Sequence, residues 1–111
     1  MKKLTINEEI FLISIWHLQE EAYGVRIRKK IWELTGDNIA FGTLYNTLDH
    51  LARKGYVGTR KGAPTATRGG HNKVYYSLTP EGETALHRAR SLQKRLWRGI
   101  PEYTFEEGSE S

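Results

Sequence analysis

Seven of the nine residues from 10 to 18 are apolar: Ile10, Phe11, Leu12, Ile13, Ile15, Trp16 and Leu18. At 100° per residue they occupy nearly the whole circumference of a helix rather than one stripe, so the helix needs cover on two sides. A chain of 111 residues has one modest core to offer. That core can cover one side, and a second copy of the chain is the simplest cover for the other. Cysteine is absent, which removes disulfides and thiolate chemistry and leaves oligomerisation to supply what a small core lacks.

Around this helix the pattern is regular. Asn7 is placed to cap it, with Glu8 and Glu9 at the positive end of its dipole. A second helix follows Tyr23-Gly24, with Ile27, Ile31 and Leu34 on one face and Gly36 as its stop. A third spans residues 41–54, with Leu44, Leu48 and Leu51 as a narrow apolar stripe and Gly55 behind it. Residues 56–61 and 73–78 are β-branched and aromatic enough for two strands. The segment 62–72 between them holds three Gly and one Pro and reads as a hairpin tip. Thr79 caps a fourth helix with Pro80 in its first position, running to about residue 98. Its apolar residues Ala85, Leu86, Ala89, Leu92, Leu96, Trp97 and Ile100 fall within one arc.

Charge divides the chain unevenly. Glu102, Glu106, Glu107 and Glu110 lie in a tail without Lys or Arg, so the other nine acids face all 17 bases and residues 1–100 carry a formal +8. Such a field attracts polyanions, nucleic acid foremost. No stretch approaches the roughly 20 apolar residues of a membrane span, and no cleavage-like site follows Met1-Lys2-Lys3. A cytoplasmic chain that does not enter a membrane is expected.

The expected fold is therefore mainly α with a small β-hairpin, in the order α-α-α-β-β-α, a winged helix-turn-helix that pairs as a homodimer through its N- and C-terminal helices. Residues 1–78 would form the DNA-binding unit, 79–100 a dimerisation helix and 101–111 a disordered acidic tail. The third helix suits the major groove of double-stranded DNA, and Gly42, Thr43, Tyr45, Asn46 and His50 are its outward candidates. Asn46 can pair bidentately with adenine, while Thr43 and Tyr45 can donate to phosphate. Tyr45 equally fits as a cover over the core edge, and Asn46 as solvated surface. Tyr23 joins the DNA candidates, as do Arg60, Lys61, Arg68, His71 and Lys73 of the wing. Arg68 suits a minor groove, and a solvated loop is the other reading of that segment. The basic residues of the fourth helix read as a solvated face.

The blocks Tyr23-Gly24, Gly42-Thr43-Leu44-Tyr45, Lys54-Gly55-Tyr56-Val57, Tyr75-Tyr76-Ser77-Leu78-Thr79 and Glu81-Gly82 resemble the PadR family of bacterial transcriptional regulators across residues 4–97. The segment 62–72 is longer and richer in Gly than the wing of that family. The resemblance implies a repressor of the short form, bound to a palindromic operator and released by a small aromatic or drug-like effector. Trp97, with Phe11, Ile15 and Trp16, would line the effector pocket across the dimer, though the same residues read as plain packing. Ile10, Leu12, Leu86, Leu92 and Leu96 would form the dimer interface. A winged-helix module that binds an acidic protein is the alternative. His17, His50, His71 and His87 share no metal spacing, and no nucleophile-base pair or phosphate-binding glycine motif is present. No cofactor and no enzyme activity are expected.

Overall fold

The computed structural model describes residues 3–62 and 73–102. Helix α1 (Ile6–Leu18) leads through a 3-10 turn (Gln19–Glu21) to α2 (Gly24–Thr35) and α3 (Phe41–Arg53), followed by an antiparallel hairpin of β1 (Val57–Lys61) and β2 (Val74–Leu78), then α4 (Pro80–Trp97). The expected element order is observed. Wing candidates Arg68 and His71, and the tail from residue 103, lie outside the described residues.

Local chemistry accounts for the boundaries. Gly36 and Gly55 stand at φ 81° and 82°, the left-handed conformation in which a side chain is strained, and they stop α2 and α3. Thr79 caps α4 by accepting from the Gly82 N–H at 3.0 Å. The cap of α1 differs from expectation. Thr5 holds that position and Asn7 lies exposed inside the first turn. Thr5 Oγ1 accepts from the Glu8 N–H at 3.1 Å while Glu8 Oε1 accepts from the Thr5 N–H at 2.8 Å, so one residue pair satisfies two backbone donors.

One side of α1, formed by Phe11, Leu12 and Ile15, is the centre of the core. Ile27 and Ile31 of α2, Leu44, Leu48 and Leu51 of α3, and Ala85 of α4 close over it. Leu34 departs from its expected place. It shares the face of Ile27 and Ile31 but sits in the last turn of α2, takes no part in the core and is half-exposed.

Two long-range contacts lock the helices. Thr79 Oγ1 donates to the Gly55 carbonyl at 2.6 Å, and its N–H to the Tyr56 carbonyl at 3.1 Å. Gly82 then lies so close that a Cβ there would overlap the Tyr56 carbonyl oxygen. The start of α4 is thereby seated on the turn that ends α3. On the other side, Glu8 is 5% exposed and accepts from Lys54 Nζ at 2.7 Å. Burial by itself would raise the Glu8 carboxyl. The hydrogen bonds from Lys54 and Thr5, with the charge of Lys54, outweigh it and hold the group below its ordinary 4.5.

Gly82→Ala adds a methyl against a backbone atom that cannot swing away, and is expected to cost about 2 kcal/mol in urea unfolding despite the better helix propensity of alanine. Lys54→Met removes the ammonium partner of a buried carboxylate and is expected to cost about 2 kcal/mol at neutral pH. Because folding depresses the Glu8 pKa, the pair's contribution is present above 4.5 and fades as pH falls through the depressed value. The deficit of Lys54→Met should therefore shrink in urea titrations carried into acid.

Candidate nucleic-acid interface

With Leu44, Leu48 and Leu51 turned inward, the helical period places Gly42, Asn46, Asp49 and Arg53 along the opposite ridge of α3, flanked by Thr43 and His50. All six are exposed. Ala40 precedes the helix without a side-chain cap, and a Cβ at Gly42 would meet nothing within 4 Å. The first N–H groups of α3 thus open onto free surface, where they and the helix dipole favour an anion.

Aromatic and cationic groups set the pose of this helix. Arg28 Nε of α2 donates to the Ile39 carbonyl at 2.5 Å, and its guanidinium lies 4.3 Å from the centroid of the Phe41 ring. Phe41 in turn stacks on Tyr45 with centroids 6.4 Å apart. The Tyr45 ring reaches over the start of α2, where a Cβ on Gly24 would overlap its hydroxyl. Of the two sequence readings for Tyr45, the geometry favours the cover over the core edge, with half the ring still exposed. His50 Nε2 stands 3.7 Å from Glu8 Oε2, so this ridge flank is tied to the capping box of α1.

The wing is anchored at its root. Tyr75 bridges to Tyr23, and the Tyr76 N–H donates to the Ala22 carbonyl at 2.8 Å, attaching the hairpin to the segment before α2. The Arg60 guanidinium lies 4.4 Å from the Tyr75 centroid. Tyr75 meets Tyr23 edge-on at 5.5 Å, and Lys73 Nζ lies 4.3 Å above Tyr23. Tyr23 is therefore part of the root of the wing, half-buried between the hairpin and α2. Arg60, Lys61 and Lys73 are exposed beside it. Burial, then the neighbouring Tyr45 and Asp49, push the Tyr76 phenol up from its ordinary value of 10.0, so it stays neutral at physiological pH.

The pocket and dimer candidates separate. Phe11 and Leu12 are both 0% exposed. They are consumed by the chain's own core, so Phe11 lines no surface pocket and Leu12 faces no second copy. An all-round apolar helix does not reveal which side its own domain covers. Ile15 is buried as well, but it still borders a hollow beside Trp16, Arg60 and Tyr75. Ile10, Leu86 and Leu92 are half-buried, whereas Leu96 and Trp97 are 60% and 62% exposed. Trp16 lines a groove of about 600 Å³ between α1 and α4 with Ile13 and Leu86. Trp97 lies one turn beyond that groove, its indole N–H donating to Gln93 Oε1 at 3.2 Å. Asp49, Arg53 and Arg28 have no counterpart among the sequence candidates. The helical period of the leucine stripe was sufficient to find the first two.

Among the described residues no helix is long and apolar enough to cross a membrane, and no three His, Cys, Asp or Glu side chains gather as a metal site. The family model of the transcriptional regulator PadR-like family matches residues 13–88. The crystal structure of a PadR family transcription regulator from hypervirulent Clostridium difficile is 27% identical, with a TM-score of 0.60 over 84% of this chain and 88% of that one. The structure of F93 from STIV, a winged-helix DNA-binding protein, is 22% identical, with a TM-score of 0.67 over 88% of this chain and 98% of that one. RosR of H. salinarum is 24% identical, with a TM-score of 0.67 over 90% and 83% of the two chains. The likeness to F93 establishes the winged-helix fold. No curated protein matches the sequence.

Proposed function

The chain belongs to the PadR-like family of transcriptional regulators, and we propose that it works in the cytoplasm as a homodimeric repressor that reads a palindromic operator in double-stranded DNA. The observation that carries this reading is the exposed polar ridge of α3, opposite a fully buried leucine stripe and beside a cationic wing. A helix of this kind fits the major groove, which is about 12 Å wide. Asn46, central on the ridge, is the residue for adenine. Thr43 and the open N–H groups behind Gly42 suit phosphate, and Arg60, Lys61 and Lys73 suit the flanking backbone.

The exposed apolar end of α4 supports the dimer. Leu96, Trp97 and Ile100 would be covered by a second copy, together with Trp16 of α1. Two-fold pairing puts the α3 helices about 34 Å apart in successive major grooves and matches a palindrome. A small aromatic effector would sit where the subunits meet, with Trp16 and Trp97 as walls. It would act by preferring a dimer whose α3 spacing no longer fits DNA.

If each subunit neutralises about 4 phosphates, log affinity falls against log salt with a slope near −7 in titrations on promoter fragments. A flat response would remove the DNA-binding reading. Asn46→Ala is expected to weaken operator binding by about 1 to 3 kcal/mol and to leave random duplex unaffected. Equal losses on both in fluorescence anisotropy would reject base reading by Asn46.

A further inference from the structure

The ridge of α3 that faces away from the core carries one acidic residue, Asp49. It is 66% exposed and lies one turn along from Asn46, with Oδ2 paired to Arg53 Nη2 at 3.0 Å. On a surface that attracts phosphates this carboxylate works against binding to any duplex, and an exposed pair four residues apart on a helix adds little stability. Its position makes sense through the base edges. A carboxylate accepts hydrogen bonds and donates none. The major groove offers two donors, the N4 amino group of cytosine and the N6 amino group of adenine. The acceptor of the paired base flanks either donor, but adenine adds its own N7 acceptor on the other side, which repels a carboxylate, whereas cytosine has only a C5–H there.

Resting on the DNA-reading function above, we propose that Asp49 is a specificity-determining residue that accepts from cytosine N4 and selects a C·G pair. The same carboxylate positions Arg53, whose planar fork suits the O6 and N7 acceptors of guanine. Phosphate contacts by the open start of α3 and by the wing hold the helix in place. Asp49 excludes sequences that present only acceptors at its step, because an unpaired carboxylate against guanine or thymine acceptors repels them. Pairing with Arg53 also keeps the acid from being a bare negative charge in the groove.

The test uses the full chain and two substitutions, Asp49→Ala and Asp49→Asn, both at an exposed position where the fold is retained, as thermal midpoints will check. Each protein selects its sites from a pool of random duplexes, and affinities are then measured on the wild-type site, on that site with the C·G pair replaced by T·A, and on random duplex. The wild type should lose about tenfold on the T·A site. Asp49→Ala should bind the two sites equally and bind random duplex several-fold more tightly than the wild type. Asp49→Asn should shift the preferred pair toward A·T, since an amide matches adenine N6 and N7. If Asp49→Ala keeps the wild-type preference at every position, the inference is overturned while the DNA-reading function stands. If the wild type selects no site at all, that function falls and the inference falls with it.

Discussion

Every other element of the fold rests on the buried side of α1. Phe11, Leu12 and Ile15 form a post against which α2, α3, the hairpin and α4 all pack. Full burial of side chains this large contributes on the order of 2 kcal/mol each, which for a domain of this size is a large share of the net stability. The post has one charged foot. Glu8 sits beneath it, neutralised by Lys54 at the far end of α3 and aligned by the Thr5 backbone. The entry to α1 and the exit of α3 are thereby held together across 46 residues of chain.

Fixing both ends of α3 is what exposes its ridge. At the start, Arg28 holds the Ile39 carbonyl and stacks on Phe41, which stacks on Tyr45, which lies over Gly24. At the end, Thr79 and Gly82 press α4 onto Gly55 and Tyr56. Between these clamps the helix cannot roll about its axis, so Gly42, Asn46, Asp49 and Arg53 remain outward. Orientation held in advance reduces the ordering cost of docking on a partner. The wing gains the same benefit from the alternation of Arg60, Tyr75, Tyr23 and Lys73, which keeps two cations close to α2 by stacking on aromatic rings.

Much of this was legible residue by residue. The Thr79-Pro80 cap, the glycine stops at positions 36 and 55, the leucine stripe of α3 and the two strands follow from interactions within a few residues, and each lies where expected to within one position. The errors arise where two local solutions compete or where partners are distant. Asn7 and Thr5 are both good caps, and the reciprocal bond with Glu8 decides for Thr5. Leu34 has the right phase on α2, but phase does not say where along the axis the core ends. Asp49 and Arg53 were within reach of the same period that marked Leu44, Leu48 and Leu51, since the ridge lies directly opposite.

The sequence by itself determined the order of elements, every end but the start of α1, and the existence of an apolar surplus that the domain cannot cover alone, because periodicity and capping act over about four residues. Only the tertiary structure decided which side of α1 is spent on the core, why position 82 is glycine, and that Glu8 meets Lys54. Those outcomes depend on contacts between segments remote in sequence, and a helix apolar all round carries no mark of the side its neighbours will choose.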